Sequence, residues 1–115
     1  MSTSNNWITV CSDTDLVNNS GVCALLNQQQ IALFKIKNSD GEQVFALSNW
    51  DPLGKANVLY RGLLGSVQET KVVISPLYKQ RYCLESGQCL DDDAIKLVVY
   101  PVRIEQNQVQ LQWVD

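Results

Sequence analysis

The sequence contains no histidine. Without an imidazole base, neither a Ser-His nor a Cys-His catalytic pair can form, and the most common acid–base group of enzymes is missing. A zinc site would have only thiolates and carboxylates as ligands, and an iron–sulfur cluster that requires imidazole ligands is excluded. We therefore expect no catalytic residue on this chain.

Charged residues and long apolar runs are also scarce. Charged residues make up 18% of the chain and the net charge is −3. Nucleic-acid-binding proteins contact phosphates through clustered Lys and Arg, so a nucleic-acid partner is not expected. No apolar run approaches the roughly 20 residues that span a membrane, so no membrane association is expected either.

The first six residues are polar and carry neither the basic nor the apolar region of a signal peptide. We therefore expect a cytoplasmic protein in which the four cysteines stay reduced.

The chain is long enough for one folded domain. Its 115 residues are 45% hydrophobic, which is typical of a globular protein, and we expect residues 1–115 to form a single domain. We identify no internal repeat. Short apolar runs recur at intervals of about ten residues with turn signals between them, and no sustained helical period is present. This pattern predicts an all-β fold, an antiparallel sandwich or barrel with at most one or two helical turns.

The predicted strands are short and bounded by turn-forming residues. They cover residues 7–11, 21–26, 30–37, 43–47, 71–74, 81–84, 88–90, 97–104 and 109–113.

Several local signals accompany these strands. Ser12 with Asp15 three residues later is a capping box that opens at most one helical turn. Short hairpin turns are expected at 27–29 and 39–41. Residues 48–66 are expected to form loops with at most short pairings, and Pro101 indicates an edge position or a bulge in the strand 97–104.

Two loops carry most of the functional information. The first reads N-W-D-P-L-G at 49–54, and the second reads S-P-L-Y at 75–78, just before the strand 81–84. This layout resembles the Rieske iron–sulfur domain family, which has C-x-H in one loop and C-P-x-H in the other, followed by a W-R-F-x-L strand and a T-G-x-C-L hairpin. The residues that match the second half of the pattern are Pro76, Arg81, Tyr82, Leu84, Gly87, Cys89 and Leu90.

The resemblance places non-ligating residues at all four cluster-ligand positions, which here are Asn49, Asp51, Ser75 and Tyr78. A Rieske cluster needs two thiolates and two imidazoles, and oxygen donors are too hard for a sulfide-bridged iron centre. The four cysteines lie outside the two loops. The expectation is a Rieske-like β fold with neither metal nor iron–sulfur cluster, in which side chains pack the former cluster site.

A closer resemblance covers nearly the whole chain. Stretches at 7–11, 21–26, 48–52, 58–63, 75–81 and 109–112 are similar to the small-subunit family of cytoplasmic NAD(P)H-dependent nitrite reductases. The resemblance implies a small, non-catalytic accessory subunit of an assimilatory enzyme that reduces nitrite to ammonium. It also implies a large partner subunit that carries FAD, siroheme and a [4Fe–4S] cluster, with no cofactor on this chain. A [2Fe–2S] centre assigned to it by homology alone would be unsupported.

Partner-binding residues are expected at the two loops. The candidates are Trp50, Leu77, Tyr78, Lys79 and Arg81. Exposed aromatic side chains beside basic ones are typical of an interface core and rim. The alternative interpretation is that Trp50 and Tyr78 fill the former cluster site and that the two basic residues are ordinary solvated charges.

Three further features have competing interpretations. The acidic run Asp91–Asp93 lacks the spacing of a calcium loop, so a solvated turn is favoured over a metal site. Cys83 and Cys89 flank a hairpin turn, and reduced thiols are favoured over a disulfide switch. The alternative functions are a free-standing β module that binds a ligand or a protein, and a Rieske-type electron carrier.

Overall fold

The computed structural model describes residues 6–39 and 41–114. Within these ranges the chain forms twelve strands and two single 3₁₀ turns, Asp13–Asp15 and Leu59–Arg61, and no α-helix. The strands are β1 Ile8–Ser12, β2 Ser20–Leu26, β3 Gln29–Asn38, β4 Gly41–Ser48, β5 Trp50–Asp51, β6 Ala56–Asn57, β7 Leu63–Val67, β8 Thr70–Ile74, β9 Arg81–Cys83, β10 Val99–Tyr100, β11 Val102–Glu105 and β12 Gln108–Leu111. The strand pairs are antiparallel, and the all-β prediction is confirmed.

A central sheet has the strand order β10-β4-β3-β2. Its hairpin β2–β3 turns over Asn27 and Gln28, whose φ angles of 49° and 66° match the right-handed twist of the flanking strands. The hairpin β3–β4 runs from the pair Ile31–Ser48 to the pair Asn38–Gly41. The predicted turn 39–41 includes Asp40, and the polar start of the chain includes residues 1–5; these six lie outside the described residues.

Two three-stranded sheets flank the central one, with orders β1-β12-β11 and β7-β8-β9. Buried residues of β3 alternate between them, as strand geometry requires. Ala32 and Phe34 pack with the core around Val73 and Tyr82 of the β7–β9 side. Ile31 and Leu33 pack with the other core, which is closed by residues of β12.

The predicted continuous strand 97–104 is wrong. It divides at Pro101 into β10, which pairs with β4, and β11, which pairs with β12. Proline has no N–H for a sheet ladder, while its carbonyl accepts a hydrogen bond from the Gln112 N–H at 3.1 Å. Pro101 therefore marks the point at which the chain passes from one sheet to the other.

Three other local predictions can be compared with the structure. The capping box is confirmed, since the Asp15 carboxylate accepts from the Ser12 N–H at 2.9 Å and one 3₁₀ turn follows. The prediction of loops with only short pairings over 48–66 misses β7, which pairs with β8 along its whole length. The predicted strand 88–90 forms only isolated bridges, Tyr82 with Cys89 and Gln88 with Lys96.

Among the described residues, no helix is long and apolar enough to cross a membrane.

Candidate functional site

The two loops identified from the sequence lie side by side. The first follows β4 of the central sheet, and the second follows β8 of a flanking sheet. Asp51 and Ser75, both fully buried, join them directly: the Ser75 hydroxyl donates to Asp51 Oδ2 at 2.5 Å. A carboxyl oxygen bound by a hydroxyl at this distance forms one of the stronger hydrogen bonds in proteins.

Asp51 is the centre of a larger buried set, here called the Asp51 network, which consists of Asp51, Ser75, Gln80 and Tyr82. Asp51 Oδ1 accepts from Gln80 Nε2 at 2.7 Å and from the Tyr82 hydroxyl at 3.2 Å. It also accepts from the Leu53 N–H at 3.0 Å. Burial raises the pKa of Tyr82 to about 12, and the nearby Asp51 carboxyl adds to the increase, so this hydroxyl stays a hydrogen-bond donor.

Asn49 has a separate set of partners. Its Oδ1 accepts from the Tyr60 N–H at 2.8 Å, and its Nδ2 donates to Gln30 Oε1 at 3.2 Å. The Cys23 sulfur lies 3.6 Å from Nδ2, and burial raises the pKa of the Cys23 thiol. Asn49 thereby ties the first loop to the β2–β3 hairpin and to the second 3₁₀ turn.

The two loops share both sequence and conformation. Residues 51–55 read D-P-L-G-K, and residues 75–79 read S-P-L-Y-K. In each loop the first side chain accepts from the backbone N–H two residues later. The carbonyl of the same residue accepts from the N–H of the lysine four residues later, at 2.6 Å for Lys55 and 3.1 Å for Lys79. The backbone of both lysines is in the left-handed region, with φ angles of 55° and 65°.

The sequence alone does not reveal this repeat, because a five-residue pattern that recurs after 24 positions is too short to stand out from chance similarity. The tertiary structure shows that the two copies of the pattern are in contact, because the Asp51–Ser75 hydrogen bond joins their first residues.

The residues present do not fit a [2Fe–2S] cluster. At the four cluster-ligand positions, Asn49, Asp51 and Ser75 are fully buried and hydrogen-bonded, and they offer no sulfur or imidazole ligand. The direct contact between Asp51 and Ser75 leaves no room for iron between them. Tyr78 does not join them, because its side chain is 69% exposed.

The apolar candidates for partner binding are exposed to solvent. Trp50, Leu77 and Tyr78 are 45%, 46% and 69% exposed, so the interpretation that the two aromatic residues fill the former cluster site is wrong. The buried side chains that contact Asp51 from β9 and the segment before it are Tyr82 and Gln80. Sequence reasoning overlooked Leu53, which is 43% exposed, and Lys55, which is also exposed.

Arg81 is held within the chain. Its guanidinium donates to Asp91 through Nη2 at 2.7 Å and Nε at 3.2 Å, and its backbone N–H donates to the same carboxylate at 2.7 Å. These hydrogen bonds lower the pKa of Asp91 and raise that of Arg81. The first residue of the acidic run, Asp91, is therefore bound to Arg81 of β9. Among the described residues, no cluster of acidic or thiol side chains is suited to hold a metal ion.

Cys83 and Cys89 are free thiols. The Tyr82–Cys89 bridge places Cys89 opposite Tyr82, so Cys83 and Cys89 point to opposite faces of their hairpin. This arrangement is inconsistent with a disulfide between them.

Comparisons with known proteins agree with this geometry. The family model of the Rieske-like [2Fe-2S] domain matches residues 6–112. The nitrite reductase (NADH) small subunit of Escherichia coli K12 is 42% identical over 106 residues, which cover 92% of this chain and 96% of that protein. The solution structure of the E. coli protein NirD superposes with a TM-score of 0.84 at 40% identity, covering 96% of this chain and 98% of that one.

A third relative has a different organisation. The nitrite reductase [NAD(P)H] large subunit of Klebsiella oxytoca is 41% identical over 103 residues, which are 90% of this chain and 10% of that protein. A region similar to this chain is thus part of a large-subunit polypeptide there. From the match over nearly its whole length, the chain belongs to the Rieske-like [2Fe-2S] domain family and, within it, to the nitrite reductase small subunits.

Proposed function

We propose that this chain is the small, non-catalytic subunit of an NAD(P)H-dependent nitrite reductase. It associates with a large subunit that carries FAD, siroheme and an iron–sulfur cluster and reduces nitrite to ammonium. The observation that carries the proposal is the 42% identity to a nitrite reductase small subunit over almost the full length of both chains.

The large-subunit partner has independent support. In the K. oxytoca relative, a region similar to this chain belongs to the same polypeptide as the rest of the large subunit. A domain that occurs fused to a second protein in one organism is a good candidate to bind that protein where the two are separate chains. Covalent linkage raises the effective concentration of one partner near the other, so a separate chain needs an interface of its own.

We further propose that this chain holds no cofactor. The absence of histidine and the filled space between Asp51 and Ser75 support this, because both remove what a Rieske centre requires. The flow of electrons from NAD(P)H to nitrite is then confined to the large subunit, which we place with this chain in the cytoplasm.

The cofactor proposal is tested by anaerobic reconstitution of the purified chain with ferrous iron and sulfide. After desalting we expect less than about 0.1 iron per chain and no visible absorption band, since the chain offers no imidazole ligand. Retention of about two irons per chain with a cluster spectrum would reject the proposal.

The subunit proposal is tested by affinity purification of the tagged chain from extracts of nitrite-grown cells of its own organism. We expect a large co-purifying chain, identified by mass spectrometry as the nitrite reductase large subunit, and flavin and siroheme absorption in the eluate. A colourless eluate that contains only the tagged chain, at concentrations that retain a micromolar complex, would favour a free-standing binding module.

A further inference from the structure

The repeated loop builds a paired surface. The name tip is used here for the exposed side chains of the two loops: Trp50, Leu53, Lys55, Leu77, Tyr78 and Lys79. The corresponding leucines are almost equally exposed, 43% for Leu53 and 46% for Leu77. Each is followed two residues later by an exposed lysine, so each copy of the loop presents one leucine and one lysine to solvent.

The two copies are held against each other. The Asp51–Ser75 hydrogen bond joins their first residues, and Gly54 lies against the Leu77 side chain so closely that a Cβ on Gly54 would overlap it. Tyr78 is the residue that corresponds to Gly54 in the second copy, and it is free to extend into solvent. The tip is therefore pre-organised, which reduces the entropy lost when a partner binds.

The charge at the tip has one sign, although the chain as a whole is acidic. Over residues 48–66 and 75–81, Asp51 is the only acidic residue in the sequence, and it is fully buried. Arg81 is engaged by Asp91, and Arg61 lies over the Tyr60 ring outside the two loops, which leaves Lys55 and Lys79 as the outward charges of the loops themselves. An apolar centre with a basic rim fits a partner that offers an apolar seat bordered by acidic side chains.

We infer that the tip is the surface through which this chain binds the nitrite reductase large subunit, with the two Leu–Lys copies acting as paired contacts. The inference rests on the proposed function. The occupant follows from the large-subunit relative that contains a region similar to this chain. The inference retains four of the five residues expected from the sequence, replaces Arg81 with Lys55, and adds Leu53.

The test measures association of the purified chain with the purified large subunit of the same organism by biolayer interferometry. Lys55→Glu and Lys79→Glu are each expected to raise Kd about tenfold and the double variant about hundredfold, mainly through a slower association rate. The Leu53→Ala variant is expected to raise Kd through faster dissociation. Increasing salt should weaken wild-type binding more than binding of the double variant.

Matched controls lie at the far end of the central sheet. Lys37 is exposed near the end of β3 that is remote from the loops, and Lys37→Glu makes the same change in net charge as each tip variant. The change also removes the 3.7 Å ion pair of Lys37 with Glu42, so the stability of this control is measured together with its binding. Val17 is 56% exposed on the segment that bridges to Lys35, and Val17→Ala controls for the loss of an exposed apolar side chain. Both controls are expected to change Kd less than about threefold. Thermal unfolding of each variant separates loss of binding from loss of folding.

The outcomes distinguish the two proposals. Tip variants that fold normally and bind as tightly as wild type would reject the tip as the interface and leave the subunit proposal intact. Wild-type chain that does not bind the large subunit would reject the proposed function itself. Sedimentation that shows a wild-type dimer dissociated by the tip variants, with binding of the large subunit unchanged, would assign the tip to self-association and overturn the inference.

Discussion

Asp51 holds the two loops together through its buried carboxyl group. In a cluster-bearing domain of this family, the metal would connect two loops that are distant in sequence; here a buried carboxyl group connects them through Ser75, Gln80 and Tyr82. Four donors converge on its two oxygens, a number that matches the capacity of a carboxylate. The tip geometry therefore depends on one residue that is fully buried beneath it.

Replacing Asp51 with alanine is expected to lower the free energy of unfolding by about 3 kcal/mol, because three buried side-chain donors lose their acceptor together. Urea unfolding followed by circular dichroism measures the change. The matched control is Asp93→Ala, which removes an exposed carboxylate and is expected to cost less than about 0.5 kcal/mol. Equal stability of the two variants would contradict the role given to Asp51.

Tyr82 makes the free energy of unfolding depend on pH in the alkaline range. Its pKa is about 12 in the folded chain against an ordinary value of 10. Above pH 10 the unfolded chain thus binds fewer protons than the folded one at this position, and the free energy of unfolding falls as pH rises towards 12. Below pH 10 this residue contributes no pH dependence.

The expected result is a steeper loss of stability between pH 10 and pH 12 for wild type than for Tyr82→Phe, with a difference in slope approaching about 1.4 kcal/mol per pH unit. Urea unfolding at fixed pH values measures both slopes. Tyr100, whose pKa is also raised by burial, is present in both proteins and does not affect the comparison. Parallel curves would show that Tyr82 is not shielded as described.

Among the secondary-structure elements, the turn after β9 has the strictest backbone requirement. Gly87 has a φ of 81°, and a Cβ there would overlap the carbonyl oxygen of Leu97. Its own N–H donates to Cys83 and its carbonyl accepts from the Leu97 N–H, both at 2.8 Å. The turn therefore holds the segment 83–87 against residue 97, beside the core that contains Cys89 and Leu97.

Gly87→Ala is expected to lower the free energy of unfolding by about 2–4 kcal/mol, the sum of left-handed strain and overpacking. Gly65→Ala is the matched control, because a Cβ on Gly65 meets nothing closer than 3.7 Å and its backbone is not left-handed. The control is expected to lie within about 1 kcal/mol of wild type, on the stabilising side. Chemical denaturation of both variants measures the difference between their free energies of unfolding. Equal values would show that the hairpin does not form the turn described for Gly87.

For the molecule as a whole, the packed sheets supply stability without a disulfide bond among the described residues. Two buried clusters lie on either side of β3 and β4, and the thiols among the described residues are free. The fold is therefore held by burial of apolar surface.

The melting temperature is accordingly expected to be the same, within about 1 °C, in the presence and absence of a reducing agent. Differential scanning calorimetry of freshly purified protein measures it, and alkylation followed by mass spectrometry counts the free thiols. A higher melting temperature under oxidising conditions, together with a Cys83–Cys89 cross-link, would contradict the face assignment of these two residues. The Cys83→Ser variant should remove any such shift.

Much of the fold could be predicted locally. The capping box at Ser12 and the alternating strand around Val109 are confirmed, and the hairpin turn predicted at 27–29 occurs at 27–28, because each depends on residues close in sequence. Pro101 shows the opposite case: its missing N–H predicted an edge position or a bulge within one strand, whereas the chain divides there into two strands that join different sheets.

The sequence by itself determined the chemical class of this protein. The lack of histidine and the oxygen-bearing residues at the cluster positions predict a chain without a Rieske centre. The spacing of short strands predicts a β fold, because residue type and local period suffice for both predictions. Only the tertiary structure decided which side chains fill the site and which face solvent. Asp51 meets Ser75 and Tyr82 across 24 and 31 residues, and contacts at such separations follow from how the sheets stack.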